Sequence, residues 1–266
     1  MIRELKKVDD HISLFEMKSN ALEVLVTNFG GTIIRLLMPD KNGQKGDVVL
    51  GYDSIAEYQT KDAYLGALVG RTANRTCKGT FSLNGKTYTL PLNDGPNSLH
   101  GGVHGFSQKV FDAKIQGDSL VLTYLSPDGE EGYPGNLRLT ATYTLKGGTL
   151  TLRYQATTDQ DTLINITNHS YFNLSGGQED ICNHTLQVHS DTYACIDANG
   201  LPTGEFRDTQ GTPFDFHTPA RIGDVLARQD EQLTLGRGVD HPFLFNRAED
   251  QVVLCHPASG RRLTLS

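Results

Sequence analysis

The chain has 266 residues, of which 37% are hydrophobic and 21% charged, and its formal net charge is −7. This apolar share can form a core and excludes an intrinsically disordered chain, while the acidic balance and scattered Lys and Arg argue against a nucleic-acid partner. No apolar run approaches the roughly 20 residues that cross a bilayer, and the four cysteines are too widely spaced for a disulfide framework, so we expect a cytoplasmic protein without membrane contact.

Short alternating segments separated by turns run through the sequence and predict β-strands. Three hairpins are predicted where a turn lies between two such segments, at residues 81–90, 137–154 and 252–265. The first is the clearest, because its Asn84-Gly85 pair tolerates the positive φ angles of a tight hairpin turn. Helical signal is thin and is confined to residues 54–58, with Ser54 as the N-cap, and to residues 222–226.

Many strands with turn-rich loops and no alternation of strand and helix predict an all-β fold, a large antiparallel β-sandwich or barrel. Because no linker, repeat or change of composition interrupts the sequence, we expect one domain over residues 1–266. The last six residues have the pattern of a strand, and the sequence ends inside it. We therefore expect this domain to be truncated at its C-terminus.

Two polar clusters lie in the first half of the chain. Residues 70–75 place Asn74 between Arg71 and Arg75, and their hydrogen-bond donors suit neutral polyols or carboxylates, although a solvated surface loop has the same pattern. Residues 97–105 place His100 and His104 among glycines, which let a ligand approach the backbone. Histidine transfers protons near neutrality, so this second cluster predicts either a catalytic or binding site or exposed structural histidines.

Two further polar clusters lie in the second half. Residues 165–174 surround His169 with Asn, Ser and Tyr in a strand-like stretch, where inward polar side chains must bond to each other or to a ligand. In residues 238–243, Asp240 precedes His241 and can bind a hydroxyl, orient a histidine or cap a turn. Each cluster alone leaves its structural interpretation open.

Taken together, in their order and at similar spacing, these four segments resemble the aldose 1-epimerase (galactose mutarotase) family over nearly the whole chain. The resemblance implies a large, twisted antiparallel β-sandwich with an open polar cleft for a sugar. It also implies an isomerase of carbohydrate metabolism that interconverts the α and β anomers of free aldoses such as galactose or glucose. This chemistry opens and closes the sugar ring by acid and base catalysis, so we expect no metal and no cofactor.

The resemblance also implies roles for individual residues. His169 is the general acid and His100 is a second residue of the catalytic site. Asn74 and Arg75 bind sugar, with Tyr171 beside His169, and Asp240 holds sugar hydroxyls. The family's general base is a glutamate in a segment after the strand in which this sequence ends. None of the 266 residues therefore takes that role by resemblance, and the resemblance leaves open whether this chain is active.

Three alternatives remain at the level of sequence. A carbohydrate-binding β-sandwich without the base would bind sugar and not catalyse. A metal-dependent β-barrel enzyme would use His100, His104 and a further ligand. A phosphosugar epimerase of related fold would need a cluster of basic residues, which the region of Asn74 and Arg75 does not supply. For the mutarotase interpretation we expect an aldose as the partner and a monomer or homodimer as the assembly.

Overall fold

The computed structural model describes residues 1–61 and 63–266, and contacts within the chain divide it into two compact units. The first unit comprises Met1–Met38 and Asp47–Phe172, and the second comprises Pro39–Gly46 and Asn173–Ser266. The expectation of a single, truncated domain stays a prediction.

Strands account for most of the regular structure, which confirms the all-β prediction. In chain order they are β1 (Ile2–Lys7), β2 (Ser13–Lys18), β3 (Glu23–Thr27), β4 (Ile33–Pro39), β5 (Lys45–Asp47), β6 (Leu68–Val69), β7 (Arg75–Thr76), β8 (Thr80–Leu83), β9 (Lys86–Thr89), β10 (Ser98–Leu99), β11 (Asp112–Gln116), β12 (Ser119–Ser126), β13 (Leu137–Lys146), β14 (Thr149–Thr158), β15 (Thr167–Asn168), β16 (Thr185–Val188), β17 (Ser190–Ile196), β18 (Pro202–Asp208), β19 (Ala220–Arg221), β20 (Phe243–Phe245), β21 (Val252–His256) and β22 (Arg261–Leu265).

The first unit is built from antiparallel sheets of neighbouring strands. Strands β1 to β4 pair in chain order, and β11 to β14 form a second meander. In β13, burial alternates with exposure as the period-2 pattern predicts: Leu137, Leu139, Ala141, Tyr143 and Leu145 face the core. Three two-stranded sheets, β8 with β9, β10 with β7 and β15 with β6, complete the strands of this unit, and the last two lie next to residues of the polar clusters.

The second unit has two antiparallel sheets, with strand orders β19-β16-β21-β22 and β18-β17-β20. Its core contains Tyr193, Cys195, Phe214 and Leu233 in one cluster, and Phe216 with its neighbours in another. The four cysteines of the chain are unpaired.

All three predicted hairpins are present. The tight turn between β8 and β9 has φ of 53° at Asn84 and 75° at Gly85, the left-handed values for which the Asn-Gly pair is suited. The turn between β13 and β14 contains Gly147 at φ 54°, and β21 and β22 pair across the third turn. Local turn chemistry therefore sets these three connections.

The helices are α1 (Ile55–Thr60), α2 (Ile222–Leu226) and α3 (Glu231–Gly236), with short 3-10 turns at Cys77–Gly79, Phe106–Gln108, Glu130–Gly132 and Ile181–Asn183. The first two agree with the predicted helices, and Ser54 precedes α1 as expected. Helix α3 was not predicted from the apolar pattern. Its signal is the N-cap Asp230, whose Oδ1 accepts hydrogen bonds from the backbone of Gln232 and Leu233 at 2.8 and 3.1 Å. Among the described residues, no helix is both long and apolar enough to cross a membrane.

Candidate active site

The candidate site begins at the short pair β6 and β15 in the first unit. Strand β6 is fully buried, and its pairing with β15 brings the residue after β15, His169, beside the segment before β6. The His169 N–H donates to the carbonyl of Ala67 at 2.8 Å, and the His169 carbonyl accepts from Gly66 at 3.0 Å. Hydrogen bonds at both its N–H and its carbonyl therefore fix the backbone position of His169.

A second short pair, β7 with β10, positions His100. Leu99 lies opposite Arg75, so His100 at the end of β10 comes beside Asn74 at the start of β7. The His100 N–H donates to the Asn74 carbonyl at 3.1 Å, and the Asn74 N–H donates to Nδ1 of the His100 ring at 3.1 Å. Asn74 and His100 both have positive φ, 66° and 54°, which turns the chain sharply at the ends of these strands.

The two histidines meet in a cluster of aromatic rings. The ring centroids of His100 and His169 are 4.9 Å apart in an edge-to-face arrangement, and Tyr171 lies 5.0 Å from His169. Tyr64 contacts both imidazoles, with centroids at 4.8 Å from His100 and 5.8 Å from His169. The histidine rings are half-buried, and Tyr171 is 42% exposed. The cluster is thus open to a ligand on the side of Tyr171.

Burial determines the charge of His100. Its pKa is lowered to about 4, first by desolvation and then by His169 and Arg75, while Asp94 acts in the opposite direction. His100 is therefore neutral near neutrality. Because Nδ1 accepts the Asn74 N–H, its remaining proton lies on Nε2, and His100 can donate a hydrogen bond to a ligand through that atom.

The two arginines of residues 70–75 have different surroundings. Arg71 is buried and donates hydrogen bonds to backbone carbonyls of Ser126, Pro127, Pro134 and Gly135 and to side-chain hydroxyls, as a structural cross-link does. Arg75 is half-buried beside Asn74, whose Oδ1 accepts the Arg75 backbone N–H at 2.7 Å. The structure therefore brings Arg75, and not Arg71, to the surroundings of His100.

The polar residues around His169 satisfy one another in part. Asn168 Oδ1 accepts from the backbone N–H and hydroxyl of Ser170 at 3.1 and 2.6 Å, and Asn168 Nδ2 donates to Gly66 at 2.8 Å. Asn165 exchanges backbone hydrogen bonds with Arg71 and Ala73. These contacts attach residues 165–170 to residues 66–73. The sequence analysis offered a self-satisfied polar network as the alternative to a site, and here that network holds His169 in place.

The structure brings five of the six predicted site residues together in the first unit: His100, His169, Asn74, Arg75 and Tyr171. Asp240 lies in the second unit, where it is exposed, and its role stays a prediction. Its neighbour His241 is buried, with its ring 4.5 Å from that of Phe214. Sequence reasoning missed Tyr64, which no motif marks, and Asp94, for which the Asp-Gly-Pro turn pattern is the signal.

In the part of the chain that the structure describes, the arrangement of side chains gives a metal centre no support. His104 is exposed, and Nδ1 of His100 is occupied by the Asn74 N–H. Within residues 1–61 and 63–266, no three His, Cys, Asp or Glu side chains form a group that could hold a metal ion.

Comparison with known proteins identifies the family. The family model for aldose 1-epimerase matches residues 13–266. The chain belongs to the aldose 1-epimerase family. Within this family it is similar to the galactose mutarotase of Sus scrofa, with 42% identity over 95% of this chain and 73% of that protein. It is also similar to the aldose 1-epimerase of Escherichia coli K12, with 37% identity over 89% of this chain and 69% of that protein.

Solved structures of similar proteins support the same family. An aldose epimerase homologue from C. elegans has 30% identity and a TM-score of 0.88, over 94% of this aldose 1-epimerase chain and 77% of that one. A galactose 1-epimerase from Lactobacillus acidophilus has 33% identity and a TM-score of 0.84, over 96% of this chain and 76% of that one. The chain is therefore an isomerase of the aldose 1-epimerase class with a galactose mutarotase-like, all-β fold.

Proposed function

We propose that the cluster of His100, His169 and Tyr171 is the place where this chain interconverts the α and β anomers of a free aldose such as galactose or glucose. The observation that carries the proposal is the contact between two half-buried imidazoles beside an exposed tyrosine, in a chain of this family. Anomer exchange needs a proton at the ring oxygen and removal of a proton from the C1 hydroxyl. Both transfers require groups within hydrogen-bond reach that titrate near the working pH.

In this proposal His169 donates its proton to the ring oxygen. The ring then opens to an aldehyde, the bond between C1 and C2 rotates, and the reverse steps close the ring on the other face. His100 is neutral and donates a hydrogen bond from Nε2, which stabilises an oxygen that gains negative charge. The two histidines therefore differ in role because their surroundings differ, and not because their side chains do.

The remaining residues bind the sugar in this proposal. Tyr171 offers an exposed aromatic face for the apolar side of a pyranose, and Asn74 and Arg75 offer N–H donors to its hydroxyls. Asp240 accepts hydrogen bonds from sugar hydroxyls. The transfer of the C1 hydroxyl proton requires a general base. Asp240 is the carboxylate of these 266 residues that we would test first for that step.

We further propose that the protein works in the cytoplasm as a monomer or homodimer, with a small aldose as its partner and without nucleic acid or membrane. Four unpaired cysteines suit a reducing compartment, and a net charge of −7 disfavours polyanions. Gel filtration with light scattering would measure the assembly, and a tetramer or larger species would contradict this part.

The test of the catalytic proposal is polarimetry of freshly dissolved α-galactose. The wild-type chain is expected to accelerate the change in optical rotation over buffer, and His169→Ala is expected to lower that rate about 10²- to 10⁴-fold while the chain still binds galactose. His104→Ala is the matched control, because His104 is exposed on the loop that follows His100 and is expected to leave the rate unchanged. A folded wild-type chain without acceleration, or a His169→Ala chain with the wild-type rate, would overturn the proposal.

A further inference from the structure

A rigid turn at residues 93–97 lies beside the candidate site. Asp94 and Asn97 exchange backbone hydrogen bonds at 3.0 and 3.1 Å, and Asn97 Oδ1 accepts the backbone N–H of Lys78 at 3.1 Å. Asn93 connects the turn to the loop of His100: its side chain accepts from the Leu99 N–H at 2.7 Å and donates to the carbonyls of Leu99 and Gly102 at 3.0 Å. The backbone of Asp94 is thus fixed relative to both β10 and His100.

Asp94 uses that fixed position to contact Arg75. Oδ2 of Asp94 accepts from Nε of Arg75 at 2.7 Å, and the two side chains are only 31% and 21% exposed. Arg75 is itself held in β7, opposite Leu99. A bond at Nε restricts rotation of the planar guanidinium, so Asp94 sets the direction in which its terminal N–H groups point.

The pair also sets the charge that a ligand meets. Arg75 lowers the pKa of His100 and Asp94 raises it, so both charges act at the histidine cluster and Asp94 opposes part of the effect of Arg75 there. An arginine without its carboxylate is a strong binder of carboxylates and phosphates. Next to Asp94 the positive charge of the same arginine is offset in part and its guanidinium is oriented, which suits the hydroxyls of a neutral sugar better than a carboxylate.

We propose that Asp94 is a specificity-determining residue, which orients Arg75 and offsets its charge so that the site takes neutral aldoses in preference to sugars that carry a carboxylate. This inference rests on the proposed function in one respect only, the binding of an aldose beside His100 and His169. It assigns to Asp94 no part in proton transfer. Weakening the attraction for the wrong ligand is one way to achieve such a preference, because specificity is a difference between two affinities.

The test compares D-galactose with D-galacturonate, which has a carboxylate at C6 on the same ring. Dissociation constants are measured by calorimetry for the wild type, Asp94→Asn and Asp94→Glu. Asp94→Asn removes the charge without changing the shape, and it is expected to shift the ratio of the two affinities about tenfold towards galacturonate. Asp94→Glu keeps the charge and is expected to keep the wild-type preference.

Two further variants separate this role from a loss of structure or of net charge. Asp118→Asn removes an equal charge from an exposed turn of the same unit and is expected to leave the ratio unchanged. In the background of Arg75→Gln, Asp94→Asn is expected to give no gain for galacturonate, because the cation that Asp94 offsets is absent. A ratio that is unchanged in Asp94→Asn, or that shifts equally in either of these variants, would overturn the inference.

The outcome for Asp94 is separate from the outcome for catalysis. A shifted ratio in a chain that does not accelerate mutarotation would overturn the proposed function and leave the role of Asp94 standing. If the chain accelerates mutarotation and the ratio of affinities in Asp94→Asn is unshifted, the proposed function stands and the role of Asp94 is overturned. A wild-type chain that binds neither sugar would overturn the Asp94 inference as well, because there would be no preference to explain.

Discussion

Among the described residues, each of the two units contains a pair of histidines in ring contact, and the two pairs differ in their access to solvent. In the first unit, His100 and His169 are half-buried with centroids 4.9 Å apart, beside the exposed Tyr171. In the second unit, His184 and His256 stack at 4.6 Å and are 0% and 4% exposed. The close pairing of histidines is therefore not what distinguishes a site.

The partners of the rings explain the difference. His256 bonds to Glu179 through Nε2 at 2.6 Å and to Ser259 through Nδ1 at 2.9 Å. His184 Nε2 accepts the backbone N–H of Leu174 at 2.8 Å, and the pair as a whole is enclosed. Both nitrogens of His256 are thus used inside the protein, while the first pair lies beside an open face. A histidine pair becomes a candidate for catalysis when a ligand can reach it.

The largest effect that separates the two pairs is expected for His100→Gln. The glutamine can still accept the Asn74 N–H, but it does not place a donor where Nε2 of His100 lies. We expect a loss of about 10²- to 10³-fold in kcat for mutarotation with little change in thermal stability, as for the removal of one preorganised donor. Polarimetry and a thermal melt measure the two properties. An unchanged kcat would mean that His100 takes no part in catalysis. His256→Gln is the matched variant in the enclosed pair.

A smaller effect of the opposite kind is expected for His184→Ala. This change removes the acceptor of the buried Leu174 N–H and leaves a cavity beside His256, so we expect the free energy of unfolding to fall by about 3 kcal/mol. Urea denaturation measures this loss, and calorimetry with galactose on the folded variant should give the wild-type affinity. If galactose binding weakened while stability held, the division into a structural and a functional pair would be wrong.

The smallest effect concerns pH. Burial lowers the pKa of His100 to about 4 and lowers that of His184, whereas an unfolded histidine titrates near 6.5. The unfolded chain therefore binds more protons between these values, and stability falls as the pH falls through this range. From about pH 7 to about pH 5, the free energy of unfolding of the wild type falls as the unfolded His100 takes up a proton. In His100→Gln we expect this fall to be smaller by up to about 2 kcal/mol. Urea denaturation at both values measures the difference, and parallel losses would mean that His100 is not desolvated.

Local patterns in the sequence predicted much of the fold. The Asn84-Gly85 turn, the alternation in β13 and the α2 helix depend on residues that are neighbours along the chain, and each was predicted. Helix α3 was missed because its few residues show no helical periodicity, so its cap at Asp230 is the main signal.

The roles of the site residues stay predictions, and the sequence named only some of the residues that the structure brings together, for the same physical reason. The motifs identified the residue types of His100, His169, Asn74, Arg75 and Tyr171, and their resemblance to a family supplied the roles. Tyr64 carries no local signal, since its ring contacts two imidazoles that are distant from it in the sequence. Arg71 and Arg75, four residues apart in one motif, could not be told apart until their partners were known.

The sequence by itself determined the all-β class, the hairpins, the family and the residue types that could transfer a proton. Only the tertiary structure decided that His100 is neutral with its proton on Nε2, that Arg75 is paired with Asp94, and that the pair of His184 and His256 is enclosed. The physical reason is that charge state, tautomer and access depend on neighbours in space. Burial and hydrogen-bond partners come from strands that are far apart in the chain, and no local pattern records them.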